Sequence, residues 1–196
     1  MPKQFSDHER LAIKTQLKEE GRSCLERYGM KKTTIDELVK RVHIPKGTFY
    51  LFYDSKELLM FDILMDLHDS LQQTLLSQIQ QYQGRIQAKE VTELIFNLYK
   101  AVDASFLPSF IASGDLELLM RKLPPEVVAE HGKNDDINVE QLFSLLSLEI
   151  PKESIEVFSA ALRAIFLTLL HKQEIGEDLF EKAMYQLIKG IVLQIF

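Results

Sequence analysis

The residues from 46 to 56 include a group of side chains that can donate hydrogen bonds to an anion. Lys46, Thr48 and Tyr50 place an ammonium, a hydroxyl and a phenol within five positions, and Lys56 adds a second ammonium. Each of these groups can bond to phosphate oxygens or to the edges of bases. Gly47 lacks a side chain at the point where a DNA backbone could come close. The combination indicates a surface that binds nucleic acid.

Two short helices joined by a tight turn are predicted to position these side chains. The first of them is expected to start at Thr33 or Thr34, where Glu37 completes a capping box. Pro45 suits the first position of the second helix, because its missing N–H costs nothing there. This second helix, over residues 46–53, is too short to be stable alone, so packing must hold it in place.

The rest of the chain is predicted to be helical nearly throughout. The N-terminal helix starts at Ser6, where Glu9 completes a capping box, and stops at Gly29. Cys24 falls among its apolar positions, which indicates a small core residue rather than a reactive thiol. A long helix from about Ser55 to beyond Ile79 carries an apolar stripe. Further helices are expected at about 88–105, 108–113, 115–122, 139–148, 151–171 and 177–196, with a polar loop around 131–136.

Charge is distributed unevenly along the chain. The net charge is −6, which alone argues against binding to nucleic acid. However, residues 1–56 contain twelve Lys and Arg against eight Asp and Glu, whereas the remaining residues contain eleven against twenty-one. A basic segment followed by an acidic one fits phosphate binding at one end only.

Other classes of protein are disfavoured by the sequence. The polar N-terminus has no signal-peptide run, and no stretch reaches about 18 uninterrupted apolar residues, so we expect a cytoplasmic protein without a membrane partner. His68, His131 and His171 are isolated, and no spacing of metal ligands or nucleophile motif is present. We therefore predict no catalytic residue, no metal and no cofactor; turnover by the purified protein would favour the alternative, an enzyme.

The run from Thr33 to Leu59 resembles the signature of the tetracycline-repressor (TetR) family. In that pattern a TT pair opens the second helix, a K-G-T-hydrophobe-Y segment forms the recognition helix, and an S-K-E-x-L segment opens a long linker helix. Here the matching residues are Thr33-Thr34, Lys46-Gly47-Thr48, Tyr50 and Ser55-Lys56-Glu57-Leu58. Several ordered matches at fixed spacing make the resemblance specific, although it covers only about a quarter of the chain.

The resemblance implies an all-α fold in two domains. Residues 1–56 would form a three-helix helix-turn-helix head, and residues 57–196 a helical body, joined to the head by the long helix, that binds an effector and dimerises. The implied function is a DNA-binding transcriptional regulator, with repression as the family default. An unidentified, apolar small molecule would release it from a pseudo-palindromic operator in double-stranded DNA.

The resemblance also implies a set of DNA-binding residues. Those that would face base edges in the major groove are Lys46 and Gly47. Those that would hold phosphates are Thr34, Thr48, Tyr50 and Lys56. Thr33 and Pro45 complete the candidate set. Leu38, Val42 and Phe49 would form the internal core of the head.

Four positions depart from the family pattern. His43 occupies the turn position where glycine is usual, and a left-handed backbone there costs a non-glycine residue some energy. Pro45 replaces the usual serine cap of the recognition helix, and Phe52-Tyr53 reverses the usual Tyr-Phe pair. These departures leave open an alternative, a helical ligand-binding or partner-binding module that no longer binds DNA.

The body is expected to dimerise through its last two helices. The resemblance implies that they pair with those of a second copy in a four-helix bundle about a two-fold axis. Their apolar residues exceed what one buried face needs, which agrees with a dimer, although an antiparallel pair within one chain could also bury them. Two-fold symmetry predicts half-sites about one turn of DNA apart.

The sequence gives less information about an effector pocket in the body than about the DNA-binding residues. Its candidate lining residues are Phe96, Tyr99, Phe106, Phe110, Met120 and Phe143. Aromatic and flexible side chains of this kind can line an apolar cavity. The alternative is that these residues are part of the ordinary core.

Overall fold

The computed structural model describes residues 5–82, 86–127, 129 and 151–196, and within these ranges it contains helices and turns but no strand. The helices are α1 (Asp7–Lys32), α2 (Ile35–Val42), α3 (Lys46–Phe49), α4 (Lys56–Gln80), α5 (Ala88–Asp103), α6 (Leu107–Ala112), α7 (Asp115–Lys122), α8 (Lys152–Thr168), a 3-10 turn (Leu169–His171), α9 (Lys172–Ile175) and α10 (Glu177–Val192). The predicted all-α fold with a helix-turn-helix head is confirmed. The helix expected at 139–148 and the loop at 131–136 lie outside the described residues.

The chain divides into two compact units, and both are discontinuous in sequence. The first unit consists of Met1–His68 together with Phe110–Val128. The second unit consists of Asp69–Ser109 together with Ala129–Phe196. The division into functional domains after Lys56 stays a prediction.

Helix α1 has the local chemistry expected at both of its ends. At its start the Ser6 hydroxyl accepts the Glu9 N–H at 3.3 Å, and the Glu9 carboxylate accepts the Ser6 N–H at 2.9 Å. Near its end Gly29 leaves the helical conformation, with φ 72° and ψ 174°. The capping box is thereby confirmed, and the helix breaks at Gly29 as predicted, although α1 resumes after the break and ends at Lys32. Residues 29–33 are called the α1–α2 turn below.

The turn between α2 and α3 has the left-handed backbone that the sequence pattern required. Helix α2 begins after Thr34, whose hydroxyl accepts the Glu37 N–H at 3.2 Å, and it ends at His43, with φ 57° and ψ 40°. A histidine adopts this conformation at lower cost than a branched residue. Pro45 precedes α3 as its N-cap, so its predicted place at the first helical position is wrong by one residue.

Helix α3 is shorter than the predicted 46–53. It ends at Phe49, and the chain then continues in turns, with the Phe52 and Tyr53 N–H groups donating to the Phe49 carbonyl at 3.0 and 3.1 Å. One helical turn cannot be stable by itself, so the core of the first unit determines its position. The largest buried side chains of that core include Leu17, Leu38, Phe49 and Leu59, which are fully buried, and Val42 joins them. The predicted core residues Leu38, Val42 and Phe49 are therefore confirmed.

In the second unit α10 packs on α5 and α8. The buried residues of this core are Leu75, Ile79, Ile86, Val91, Leu94, Ile95, Tyr99, Val102, Phe158, Ile165, Leu169, Phe180, Met184, Ile188 and Val192. Gly176, with φ 105°, separates α9 from α10, as the sequence indicated. The long helix predicted over 151–171 instead ends at Thr168 and passes into the 3-10 turn.

The second unit also exposes an apolar face on α8 and α10. Its residues recur at helical spacing and are Val157, Ala160, Ala164 and Leu167 on α8, and Leu179, Leu187 and Gly190 on α10. Val157 is 66% exposed and Leu179 is 60% exposed. The small residues would allow another helix to approach closely.

One stretch of this unit, Glu153–Ile175, is long and apolar enough to cross a membrane by length and composition alone. Little of it is buried. From the sequence we expect no membrane span, because no stretch reaches about 18 uninterrupted apolar residues. Core helices pass the same test, so one such stretch is weak evidence for a membrane span.

Candidate nucleic-acid interface

Helix α3, the predicted recognition helix, is held to the first unit by one aromatic side chain. Phe49 is completely buried, and its ring lies 5.5 Å from that of Tyr50 and 6.0 Å from that of Tyr53, measured between centroids. Because α3 has only four residues, the burial of Phe49 fixes which residues face outward. Lys46, Gly47 and Tyr50 are all exposed, together with Pro45.

The exposed side of α3 is open at Gly47. A Cβ added at this position would meet no described atom within 4 Å. Lys46 lies immediately before it and Tyr50, which is 48% exposed, one turn after it. A cation and a phenol therefore flank a stretch of bare backbone, which suits close contact with a polynucleotide.

Lys46 has an acidic partner that sequence reasoning missed. Its ammonium lies 2.9 Å and 3.1 Å from the two carboxylate oxygens of Asp36 on α2. The hydrogen bond to Asp36, and the attraction between the two charges, raise the pKa of Lys46. The ammonium therefore stays protonated, and Asp36 adds a negative charge to the same surface.

Two threonines of the predicted DNA-binding set lie in the interior of the first unit. Thr33 is completely buried, and its hydroxyl donates to the Gly29 carbonyl at 2.8 Å. Thr48 is only 9% exposed. Thr34 is exposed, and its hydroxyl caps α2. The DNA-binding roles of these three residues stay predictions.

Lys56 binds the turn between α1 and α2. Its ammonium donates to the carbonyls of Met30 at 2.9 Å and Thr33 at 2.7 Å. Burial lowers the pKa of Lys56, and the nearby Lys122 lowers it further, although Glu57 acts in the opposite direction. In this structure the ammonium therefore holds two backbone carbonyls, and its predicted contact with phosphate stays a prediction.

A second polar network joins α1 to α4 and includes Tyr53, which lies just after α3. Asp62 accepts a hydrogen bond from the Tyr53 hydroxyl at 2.7 Å and lies 3.1 Å from the ammonium groups of both Lys14 and Lys18. Lys18 also pairs with Asp66 at 2.7 Å. Burial would raise the pKa of Asp62, but the hydrogen bonds from these three donors outweigh it and lower the pKa. Lys14 and Lys18, two of the basic residues that give residues 1–56 their positive charge, are thus paired with carboxylates.

The candidate effector residues do not lie in one unit. Phe96, Tyr99 and Phe106 belong to the second unit, whereas Phe110 and Met120 belong to the first. Phe143 lies outside the described residues. Their predicted role in binding an effector stays a prediction.

Within the second unit, two of these aromatic residues have identified contacts. Phe96 is half-buried and packs edge-on against Tyr185, with ring centroids 5.2 Å apart. The buried Tyr99 donates a hydrogen bond from its hydroxyl to the Leu162 carbonyl. Such contacts also suit the alternative, an ordinary core.

Comparison with known proteins supports the resemblance read from the sequence. Residues 19–63 match the sequence model of the bacterial regulatory proteins of the tetR family. The match covers α2, α3, the end of α1 and the start of α4. No curated protein sequence matches the chain significantly.

The fold is similar to those of several solved structures. A TetR transcriptional regulator from Rhodococcus sp. RHA1 is 13% identical, with a TM-score of 0.61 over 96% of this chain and 100% of the other. The protein RolR, solved in complex with resorcinol, is 15% identical, with a TM-score of 0.55 over 95% and 96%. A TetR-like regulator also from Rhodococcus sp. RHA1 is 15% identical, with a TM-score of 0.51 over 94% and 96%. At these identities the likeness concerns the fold alone.

Proposed function

We propose that this chain, whose residues 19–63 match the sequence model of the tetR family, is a DNA-binding transcriptional regulator and acts as a homodimeric repressor. The dimer binds a pseudo-palindromic operator in double-stranded DNA in the cytoplasm, and an apolar small molecule releases it. The protein acts by binding, without a cofactor and without catalysing a reaction.

The exposed side of α3 is the observation that carries this proposal. Lys46 and Gly47 contact base edges in the major groove, while Tyr50 contacts a phosphate. The start of α3 has no side-chain cap, because Pro45 has no side-chain group that accepts a hydrogen bond. The surplus of positive charge in residues 1–56 supports binding to phosphate at this end of the chain.

In this proposal the buried members of the predicted set support the contacting residues. Thr33 and Lys56 hold the turn before α2 through hydrogen bonds to its backbone carbonyls. Thr34 lies at the exposed start of α2, and its hydroxyl accepts the Glu37 N–H. We expect Thr34 to bind a phosphate at the edge of the groove.

The exposed apolar face on α8 and α10 supports a homodimer. Its leucines and valine would cost free energy in water, since burial of apolar area stabilises by roughly 25 cal/mol per Å². A second copy of the same face is a suitable occupant, because a two-fold interface requires a patch that fits itself. Ala160, Ala164 and Gly190 would let two helix pairs approach closely. Dimerisation then places two α3 helices for two half-sites.

An apolar effector is proposed by analogy and by composition. RolR was solved with resorcinol, a small aromatic molecule. The second unit of this chain contains Phe96, Tyr99 and Phe106, whose rings suit a ligand of similar chemistry. An effector releases DNA only if it binds the DNA-free state more tightly than the DNA-competent state.

A gel-shift assay with the DNA upstream of the protein's own coding sequence tests the proposal. We expect specific, salt-sensitive binding that Lys46→Ala weakens by about 1–3 kcal/mol, with a relaxed preference at one base pair of each half-site. Lys89→Ala is the matched control, because Lys89 is an exposed lysine of the second unit. The control should bind like the wild type. Absence of a specific shift at every salt concentration would overturn the proposed function.

A further inference from the structure

Helix α7 contributes a buried carboxylate to the helix-turn-helix. Asp115 is only 3% exposed, although it is a charged residue at the first position of an α-helix. Its Oδ2 accepts the N–H of Met30 at 2.7 Å, across 85 residues of sequence. A buried carboxylate is costly unless it is hydrogen-bonded, so this contact determines where Asp115 can lie.

The backbone of the α1–α2 turn is shaped to receive that carboxylate. Gly29 has φ 72° and ψ 174°, a conformation that breaks the helical ladder and directs the Met30 N–H away from it. A Cβ at Gly29 would lie 2.9 Å from Asp115 Oδ2. Glycine therefore serves twice here, because it permits the conformation and leaves room for the carboxylate.

The same turn is held from α4. Lys56 donates to the carbonyls of Met30 and Thr33, so that Met30 has its N–H bound by α7 and its C=O bound by α4. Lys122 at the end of α7 pairs with Glu57 of α4 at 3.1 Å. Helices α4 and α7, which are distant from this turn in sequence, thus hold it through both its N–H and its C=O groups.

The turn leads directly to the DNA-facing residues. It ends at Thr34, the cap of α2. Helix α2 carries Asp36, whose carboxylate binds Lys46 at the start of α3. A displacement of the turn would move the start of α2, and with it the partner that holds Lys46.

We infer that Asp115 is a positioning residue for DNA binding, which fixes the turn Gly29–Thr33 from outside the helix-turn-helix and so sets the placement of α2 and Lys46. The inference rests on the proposed function. It adds a residue of α7 to the determinants of operator affinity, although no residue of α7 belongs to the predicted DNA-contacting set.

The test compares two substitutions at Asp115 with two controls on the same helix, all in the full-length protein. Asp115→Ala removes the acceptor, whereas Asp115→Asn keeps an oxygen that can accept the Met30 N–H. Glu117→Ala removes an exposed charge from the same helical turn. Leu119→Ala removes a completely buried side chain and leaves the carboxylate in place. Operator affinity is measured by fluorescence anisotropy, protection of the Met30 amide by hydrogen exchange, and unfolding by urea.

We expect Asp115→Ala to weaken operator affinity about tenfold and to expose the Met30 amide to exchange, because a bond to a charged acceptor is lost. Asp115→Asn should restore most of both. Glu117→Ala should behave like the wild type. Leu119→Ala should unfold more easily, yet its folded population should keep the affinity and the protected amide.

A double-mutant cycle distinguishes positioning from general stability. If Asp115 acts through the placement of Lys46, then Asp115→Ala should cost less affinity in a Lys46→Ala background than in the wild type. Equal losses in both backgrounds would overturn the inference, as would equal affinity losses in Asp115→Ala and Leu119→Ala. If Asp115→Ala does not fold, Asp115→Leu, which also removes the acceptor, replaces it in the cycle. Failure of the wild type to bind DNA would refute the proposed function, whereas an unprotected Met30 amide in the wild type would refute only the contact.

Discussion

Substitution of Gly29 by alanine should destabilise the first unit more than any comparable glycine substitution in the described chain. The backbone at Gly29, with φ 72° and ψ 174°, lies in a region that is essentially restricted to glycine. The new methyl group would also lie 2.9 Å from Asp115 Oδ2, a separation that real Cβ atoms essentially never show. Either the turn or the carboxylate must move.

The expected cost is the sum of two effects. Holding alanine in that backbone conformation costs about 1–3 kcal/mol. Displacing the carboxylate leaves the buried Met30 N–H without its acceptor, which costs about another 1–3 kcal/mol. We therefore expect the free energy of unfolding to fall by roughly 4 kcal/mol, a large part of the 5–15 kcal/mol that stabilises a typical domain.

Gly114 provides the matched control. Its φ of 73° is nearly the same, but its ψ of 12° is the ordinary left-handed conformation, and an added Cβ would meet no described atom within 4 Å. Gly114→Ala should therefore cost only about 1–2 kcal/mol. The measurement is urea unfolding followed by circular dichroism, with all variants at one protein concentration because a dimer's stability depends on it. A cost for Gly29→Ala no larger than that for Gly114→Ala would show that the carboxylate does not approach the turn closely.

Three further predictions address the DNA surface, the dimer and the response to acid. Gly47→Ala should leave the free energy of unfolding unchanged or raise it by about 0.5–1 kcal/mol, because its Cβ enters open space in a helix. The same variant should bind the operator more weakly. Urea unfolding and fluorescence anisotropy measure the two effects, and unchanged affinity would contradict close contact between Gly47 and DNA. Leu187→Glu should convert the proposed dimer to a monomer in size-exclusion chromatography with light scattering, whereas the same charge at exposed Gln173 should not. The pKa of Asp62 is lower in the folded protein than its value near 3.8 in the unfolded chain, so its ionised form stabilises the fold above that pH. This stabilisation is lost as the pH falls through the folded-state pKa. Between about pH 5 and pH 3 the urea midpoint should therefore fall less for Asp62→Asn than for the wild type.

Features decided within a few residues could be predicted from the sequence. The capping box at Ser6 and the helix stop at Gly29 follow from the chemistry of neighbouring residues, whereas the left-handed turn at His43 follows from the resemblance to the family pattern; the structure has all three. The recognition helix was placed correctly but extended too far, because the turns after Phe49 keep helical spacing without continuing the helix. Exposure of Lys46 also followed from its position in the motif.

Contacts between distant segments could not be predicted in the same way. Asp36 and Lys46 are ten residues apart and carry charges that would suit many other partners. Nothing local to Asp115 indicates that its carboxylate binds the backbone of Met30. The burial of Thr33 likewise depends on the packing of the whole first unit rather than on its neighbours. Such pairings become visible only when the fold brings the segments together.

The discontinuity of the first unit has a consequence for the order of events during synthesis. Met1–His68 leaves the ribosome before Phe110–Val128, yet both belong to the same compact unit. At about 5–20 residues per second, the interval before Asp115 and Leu119 are made lasts roughly 2–10 s. Throughout that interval the nascent helix-turn-helix lacks the acceptor for Met30, so it completes its fold only when translation has passed α7. Polysomes therefore carry this segment without the carboxylate that holds its turn until translation has passed α7.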